Sequence, residues 1–237
     1  MEFNNYVQKV IKDDEYLEEL VPGYLDNFPE LFYNENPSEK ICLEAVKVNG
    51  RLLSLIKDQT TEICLAAVKQ NGYALRFVKD QTKEICLAAV KQRGWALEYV
   101  SEQTPEICLA AAKRSGWALQ YVREQTEEIC LAAAKQNGEA LEYVKQQTSG
   151  VCLASVKQEG LALRFVKQQT PEVCLAAVKQ YGYALGYVKQ QTLDICLEAV
   201  RNYPEAIEFV KPEFKEACKK EIEKIESKQS LKYADTF

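Results

Sequence analysis

Cysteine is the residue type whose spacing here could do chemistry. The chain holds nine, Cys42, Cys64, Cys86, Cys108, Cys130, Cys152, Cys174, Cys196 and Cys218, each 22 residues from the next. Histidine, the commonest general base and metal ligand, is absent from the sequence. The thiols never pair as C-x-x-C, so a zinc site is disfavoured. Equivalent residues of stacked helical units lie ~8–10 Å apart, beyond the ~7 Å Cα separation that a disulfide bridges. The cysteines therefore read as reduced, buried thiols acting as small hydrophobes, in a reducing compartment. Adjacent acids such as Glu127-Glu128 read as charges at a helix N-terminus, and the glycines are too far apart for a phosphate loop. No catalytic constellation emerges, no metal or cofactor is implied, and an enzyme is disfavoured.

The elements that position the thiols are units of a tandem repeat. Thr60 to Gln81, TTEICLAAVKQNGYALRFVKDQ, recurs from about Ser38 to Lys211, with Gly50, Gly72, Gly94, Gly116, Gly138, Gly160 and Gly182 on the same beat. A fixed period in this range signals a solenoid. Thr60 suits an N-cap. Proline at Pro105 and Pro171 suits the first helical residue, and Glu62 suits the positive end of the helix dipole. Helix A is then ICLAAVKQ. Asn71-Gly72 should stop it through a left-handed glycine, and helix B is YALRFVKDQ, giving two helices of roughly eight to ten residues. The Leu65 column (Leu43, Leu87, Leu109, Leu131, Leu153, Leu175, Leu197) should lie in the core with Ile63, Val68, Leu75, Phe77 and Val78. Gln59, Gln81, Gln103, Gln125, Gln147, Gln169 and Gln191 should bond turn backbone between repeats. Helices this short are marginal alone, so stability must come from stacking.

The expected fold class is all-α, an α-solenoid of two-helix repeats with capping helices at both ends. Residues 1–37 read as an N-terminal helical cap, 38–213 as eight tandem repeats, and 214–237 as a C-terminal capping helix, reaching about Lys228, and tail. Residues 1–36 carry two lysines against nine acids, whereas 37–213 carry 22 basic and 21 acidic residues. A global basic footprint is therefore missing from the array. There is no long apolar run, so no membrane span is expected. The N-terminus has neither a basic start nor an apolar signal core.

What varies between repeats suggests recognition. The Tyr73 position reads Arg51, Tyr73, Trp95, Trp117, Glu139, Leu161 and Tyr183, and the Arg76 position reads Ser54, Arg76, Glu98, Gln120, Glu142, Arg164 and Gly186. With residue 80 they share one face of helix B by their i, i+3, i+7 spacing. A constant frame with a variable face suits a protein partner, with Tyr73, Trp95 and Trp117 as anchors. The same rings could equally cover the seam between repeats. A weaker alternative partner is single-stranded nucleic acid, because Lys47, Lys69, Lys91, Lys113, Lys135, Lys157, Lys179 and Arg201 form one ladder. Lys57, Lys79, Arg123, Lys145, Lys167, Lys189 and Lys211 form another. Lysines near helix C-termini also satisfy the helix dipole.

The run EICLAAVKQNGYALRFVKDQT, repeated from about Ser38 to Lys211, resembles the short tandem helical repeats of a domain of unknown function found in giant viruses of amoebae and some amoeba-associated bacteria. The resemblance implies no activity and no catalytic residues. It implies a viral or intracellular host setting. The resulting expectation is a cytoplasmic, non-enzymatic scaffold binding a host or viral protein.

Overall fold

The computed structural model describes residues 37–234, with side chains to residue 227. The expected N-terminal cap lies outside the described residues. The chain divides into two compact units, one ending at Arg123 and one beginning at Glu124. The first holds helices α1 (Glu39–Val48), α2 (Thr61–Gln70), α3 (Lys83–Gln92) and α4 (Pro105–Arg114). The second holds α5 (Glu127–Gln136), α6 (Ser149–Gln158), α7 (Pro171–Gln180), α8 (Leu193–Asn202) and α9 (Pro212–Ala234). A six-residue 3-10 helix follows each of α1 to α8, as Gly72–Phe77 follows α2. Within each unit the α-helices pack on α-helices of adjacent repeats, and the 3-10 helices on 3-10 helices. The fold is an all-α solenoid.

Local signals act as expected at the start of each α-helix. The hydroxyls of Thr60, Thr82, Thr104, Thr126, Thr148, Thr170 and Thr192 each accept the amide three residues on, as in Thr60 from Ile63 at 3.3 Å. Pro105 and Pro171 open their helices. The buried stripe of α2 is Ile63, Cys64, Ala67 and Val68, an i, i+1, i+4, i+5 arc of about 140°. Ala74, Leu75 and Val78 complete the core from the following segment. Leu65, expected in the core, is half-buried, as are its counterparts. It lies about 60° past the edge of the arc, on the flank between neighbouring α-helices.

Helix B is a further correction. It is a 3-10 helix of six residues, not an α-helix of eight to ten, and residue 80 lies beyond it. The cause is tertiary. Gln59 of the preceding repeat donates from Nε2 to the Phe77 carbonyl at 2.9 Å and accepts the Lys79 amide on Oε1 at 3.0 Å. A continuing α-helix would need both groups. The same clamp recurs as Gln81 on Tyr99 and Ser101, Gln103 on Tyr121 and Arg123, and Gln125 on Tyr143 and Lys145. Gln147, Gln169 and Gln191 continue it. Its role between repeats was legible from the sequence; its effect on where the helix ends was not.

The glycines also act otherwise than expected. No glycine among the described residues has a positive φ. The α2 helix ends on extended Asn71, whose φ is −144°. Gly72 is required because the next repeat touches its backbone: a Cβ there would stand 2.6 Å from the Ala89 carbonyl oxygen. Gly182 is pressed likewise, its Cβ falling 2.9 Å from the Ala199 oxygen. In the last repeat the same position is Pro204, and the helix that follows, α9, lacks the repeat pattern. A second glutamine column fixes this contact. Gln92 accepts the Gly72 amide at 2.8 Å, and Gln70 accepts that of Gly50 at 2.8 Å. Gln70 also donates to the Val48 carbonyl at 3.2 Å.

At the C-terminal end, α9 runs to Ala234, past the expected limit near Lys228. It packs on α8 through buried Cys218 and an Arg201 Nε to Glu221 Oε1 bond of 2.8 Å.

Two substitutions test this construction. Gly72→Ala should lower stability by about 1–3 kcal/mol, and Gly72→Asn by at least as much, because both add a Cβ against a carbonyl. A left-handed glycine would instead tolerate asparagine; urea unfolding of the two variants separates the accounts. Gln81→Leu strands the Tyr99 carbonyl and the Ser101 amide and should cost about 2–4 kcal/mol, with faster hydrogen exchange at Ser101. A change below about 1 kcal/mol would assign the hold to packing alone.

Candidate functional site

The 3-10 helices present the variable residues. In Gly72–Phe77 the inward side chains are Ala74 and Leu75, both fully buried. Residues three apart eclipse in a 3-10 helix, so Tyr73 and Arg76 share the outward side. In the first unit Tyr73, Trp95 and Trp117 are half-buried, while Arg76, Glu98 and Gln120 are exposed. In the second unit Glu139, Leu161 and Tyr183 are half-buried, while Glu142 and Arg164 are exposed. The sequence-predicted positions thus form one face in each unit.

The rings do seam packing as well as facing outward. Tyr73 meets Tyr99 of the next repeat edge-on, with centroids 6.0 Å apart, and Trp95 meets Tyr121 at 5.8 Å. Arg93 stands over Tyr73 at 4.8 Å and Arg76 over Phe77 at 5.0 Å. Burial, then the Glu98 carboxylate beside them, raises the pKa of the Tyr99 and Tyr121 phenols. In the second unit Arg164 pairs with Glu139 and stacks on Phe165 at 4.6 Å. Arg93, Tyr99 and Tyr121 were missing from the sequence-based site. Tyr99 and Tyr121 belong to the aromatic column of Phe77, which was expected in the core and is half-buried; Arg93 stands where another repeat has Asn71, outside that column.

The second cation ladder has a local task. Lys79 Nζ donates to the Lys57 carbonyl at 2.7 Å, and Arg123 Nη1 to the Ser101 carbonyl at 2.8 Å. Lys167 reaches the Lys145 carbonyl at 3.3 Å and Lys189 the Lys167 carbonyl at 3.1 Å. Each cation caps the loop of the preceding repeat. Among the described residues, no helix is long and apolar enough to cross a membrane.

Every cysteine is free and buried. The thiol of Cys64 donates to Gln59 Oε1 at 3.7 Å, and Cys86, Cys108, Cys130, Cys152, Cys174 and Cys196 bond their own clamp glutamines at 3.5–3.8 Å. The 22-residue beat of cysteines is therefore the beat of the glutamine clamp.

A model of the family described as Domain of unknown function (DUF4116) matches residues 38–82, 60–104, 82–125, 104–147 and 170–215. The chain belongs to this family. Its matches advance one repeat at a time through the first unit, so a DUF4116 match spans two consecutive repeats. Residues 148–169 fall between matches. That repeat carries Gly150 where other inner repeats have an acid. It also carries Ser155, fully buried with no protein partner for its hydroxyl, where all other repeats have alanine. No curated protein and no solved structure matches the chain.

The thiols carry a pH prediction. Burial raises each cysteine pKa, that of Cys196 from its ordinary 9.0 to about 11. A thiol held neutral by the fold ionises at lower pH once unfolded. Its stabilising contribution is complete below the unfolded pKa and is lost as pH rises through the folded one. The urea midpoint of the DUF4116 chain should thus fall as pH rises from about 9 to about 11, and Cys196→Ala should reduce the slope. At pH 8 a thiol reagent should label few cysteines until the chain is denatured. Full labelling of the native chain would contradict their burial.

Proposed function

We propose that the chain is a non-enzymatic repeat scaffold that binds another protein through the outward face of its 3-10 helices. One observation carries this reading: the Arg76 position differs between repeats and faces outward from a constant frame. Arg76, Glu98, Gln120, Glu142 and Arg164 are exposed, while the Gly72, Ala74 and Leu75 columns beside them are buried and almost invariant. Trp95 and Trp117 then serve as half-buried anchors, since large aromatics carry disproportionate binding energy. The reduced thiols support a reducing, cytoplasmic setting. The resemblance to repeats of giant viruses supports a viral protein acting on host or viral targets. Engagement of the Lys79 ladder by loop carbonyls favours a protein partner over nucleic acid.

Trp95 packs on Tyr121, so its truncation would mix stability with binding. The exposed pair Glu98 and Gln120 gives the cleaner test. A photo-crosslinking residue at either position, in extract from the native host, should capture the same polypeptide with or without nuclease. Binding should weaken less than tenfold between about 50 and 200 mM salt, where a phosphate-dominated contact loses ~10³ or more. Glu98→Ala with Gln120→Ala should leave the melting temperature nearly unchanged and reduce capture. Crosslinks to nucleic acid alone, lost with salt, would overturn the proposal.

A further inference from the structure

The aromatic rings of the outward face hold a cation wherever the chain supplies one. Arg76 stands over Phe77 and, at 5.8 Å, over Tyr99. Arg93 stands over Tyr73, and Arg164 over Phe165. All four contacts use a guanidinium; the lysines of the ladder instead reach backbone carbonyls.

The Gly182–Tyr187 repeat lacks both sources of such a cation. Gly186 occupies the position of Arg76 and Arg164, and Tyr203 stands to Tyr183 as Arg93 stands to Tyr73. Rings accumulate in their place. Tyr181 lies 5.2 Å from Tyr183 and 5.2 Å from Tyr203, and Tyr183 lies 5.7 Å from Phe209, edge-on. Tyr187 and Phe209 are 44% and 40% exposed, unusual for large hydrophobic side chains of this protein. Among the described residues, no cation stands over any of these rings. With no side chain at Gly186, the Phe209 ring packs directly against it, 3.0 Å from where a Cβ would stand. Negative charge is close by: burial raises the Tyr183 phenol pKa, and the Glu205 and Glu208 carboxylates add to it. Both glutamates are exposed.

We propose that Tyr183 and Phe209, with Glu205 and Glu208 on the same outward face, form a site for an arginine side chain of the partner protein, which stands over the rings on their exposed side. The rings supply the negative π faces and the glutamates the charge complement, as Arg164 finds in Phe165 and Glu139. The proposal rests on the protein-binding reading and gives its partner a chemistry.

The test uses the full chain and a blocked Gly-Arg-Gly peptide, with blocked Gly-Lys-Gly, Gly-citrulline-Gly and Gly-Leu-Gly for comparison. Binding is followed by the NMR shift of the Gly186 amide. The arginine peptide should give a saturable shift, the lysine peptide a weaker one, and the neutral citrulline peptide none. Glu205→Gln with Glu208→Gln should weaken arginine binding about fivefold, and Gly186→Arg, which supplies the chain's own guanidinium, should do at least the same. Circular dichroism checks the fold of Gly186→Arg, and the glutamine pair decides the matter if that variant misfolds. Equal binding of citrulline or leucine peptides would make the patch merely apolar and end the proposal, as would arginine binding untouched by the variants or an absent shift. An arginine peptide that fails while the Glu98 and Gln120 crosslinks succeed ends this site and leaves the scaffold. Peptide binding without those crosslinks does the reverse.

Discussion

One side-chain amide holds consecutive repeats together within each unit. Gln81 offers a donor and an acceptor at fixed separation, and it spends them on the Tyr99 carbonyl and the Ser101 amide of the next repeat. A carboxylate could not donate and an ammonium could not accept, so glutamine is the residue of this length that fits. The second lone pair of Oε1 takes the Cys86 thiol proton. The cysteine column, which looks like chemistry in the sequence, is thereby a supporting part of a hydrogen-bonded joint. Because the clamp takes backbone groups that an α-helix would need, it also sets where each 3-10 helix ends.

A second contact makes the repeats inseparable from their neighbours. The Ala89 carbonyl lies so near Gly72 that no side chain fits between them, and Gln92 ties the Gly72 amide to the same neighbour. Backbone therefore packs on backbone, with alanines such as Ala67 and Ala74 fully buried beside it. Changes in this layer would act on several hydrogen bonds at once. Substitution is left to positions pointing outward, where Tyr73 can become Trp95 or Leu161 without touching the joint.

That division of labour is what supports a recognition role. The outward positions are chemically diverse yet held at regular intervals by an unvarying frame. Their rings also close the seam, as Tyr73 does on Tyr99, so the packing reading of these positions holds, and an outward face is compatible with it. The half-buried rings pack the seam and keep one side outward, with exposed residues such as Glu98 and Gln120 around them. Of the two cation ladders, the second is partly engaged in loop capping, through contacts such as Lys79 to the Lys57 carbonyl.

What the sequence by itself determined is everything governed within a few residues of chain. The threonine caps, the opening prolines, the ten-residue α-helices and the repeat period all follow from local bonding and patterning, and so does the all-α solenoid. The outward placement of Arg76, Glu98 and Gln120 followed from variability against a fixed core. Tertiary structure decided the rest, because competitors arrive from 17 to 26 residues away. Gln59 outbids the local α-helical bond for the Phe77 carbonyl. The Ala89 carbonyl, not a left-handed turn, demands Gly72. The adjacent helix leaves Leu65 half-exposed on its flank, and Tyr99 meets Tyr73 across the seam. Local propensity is silent about each of these, since the backbone group or ring that matters belongs to another repeat.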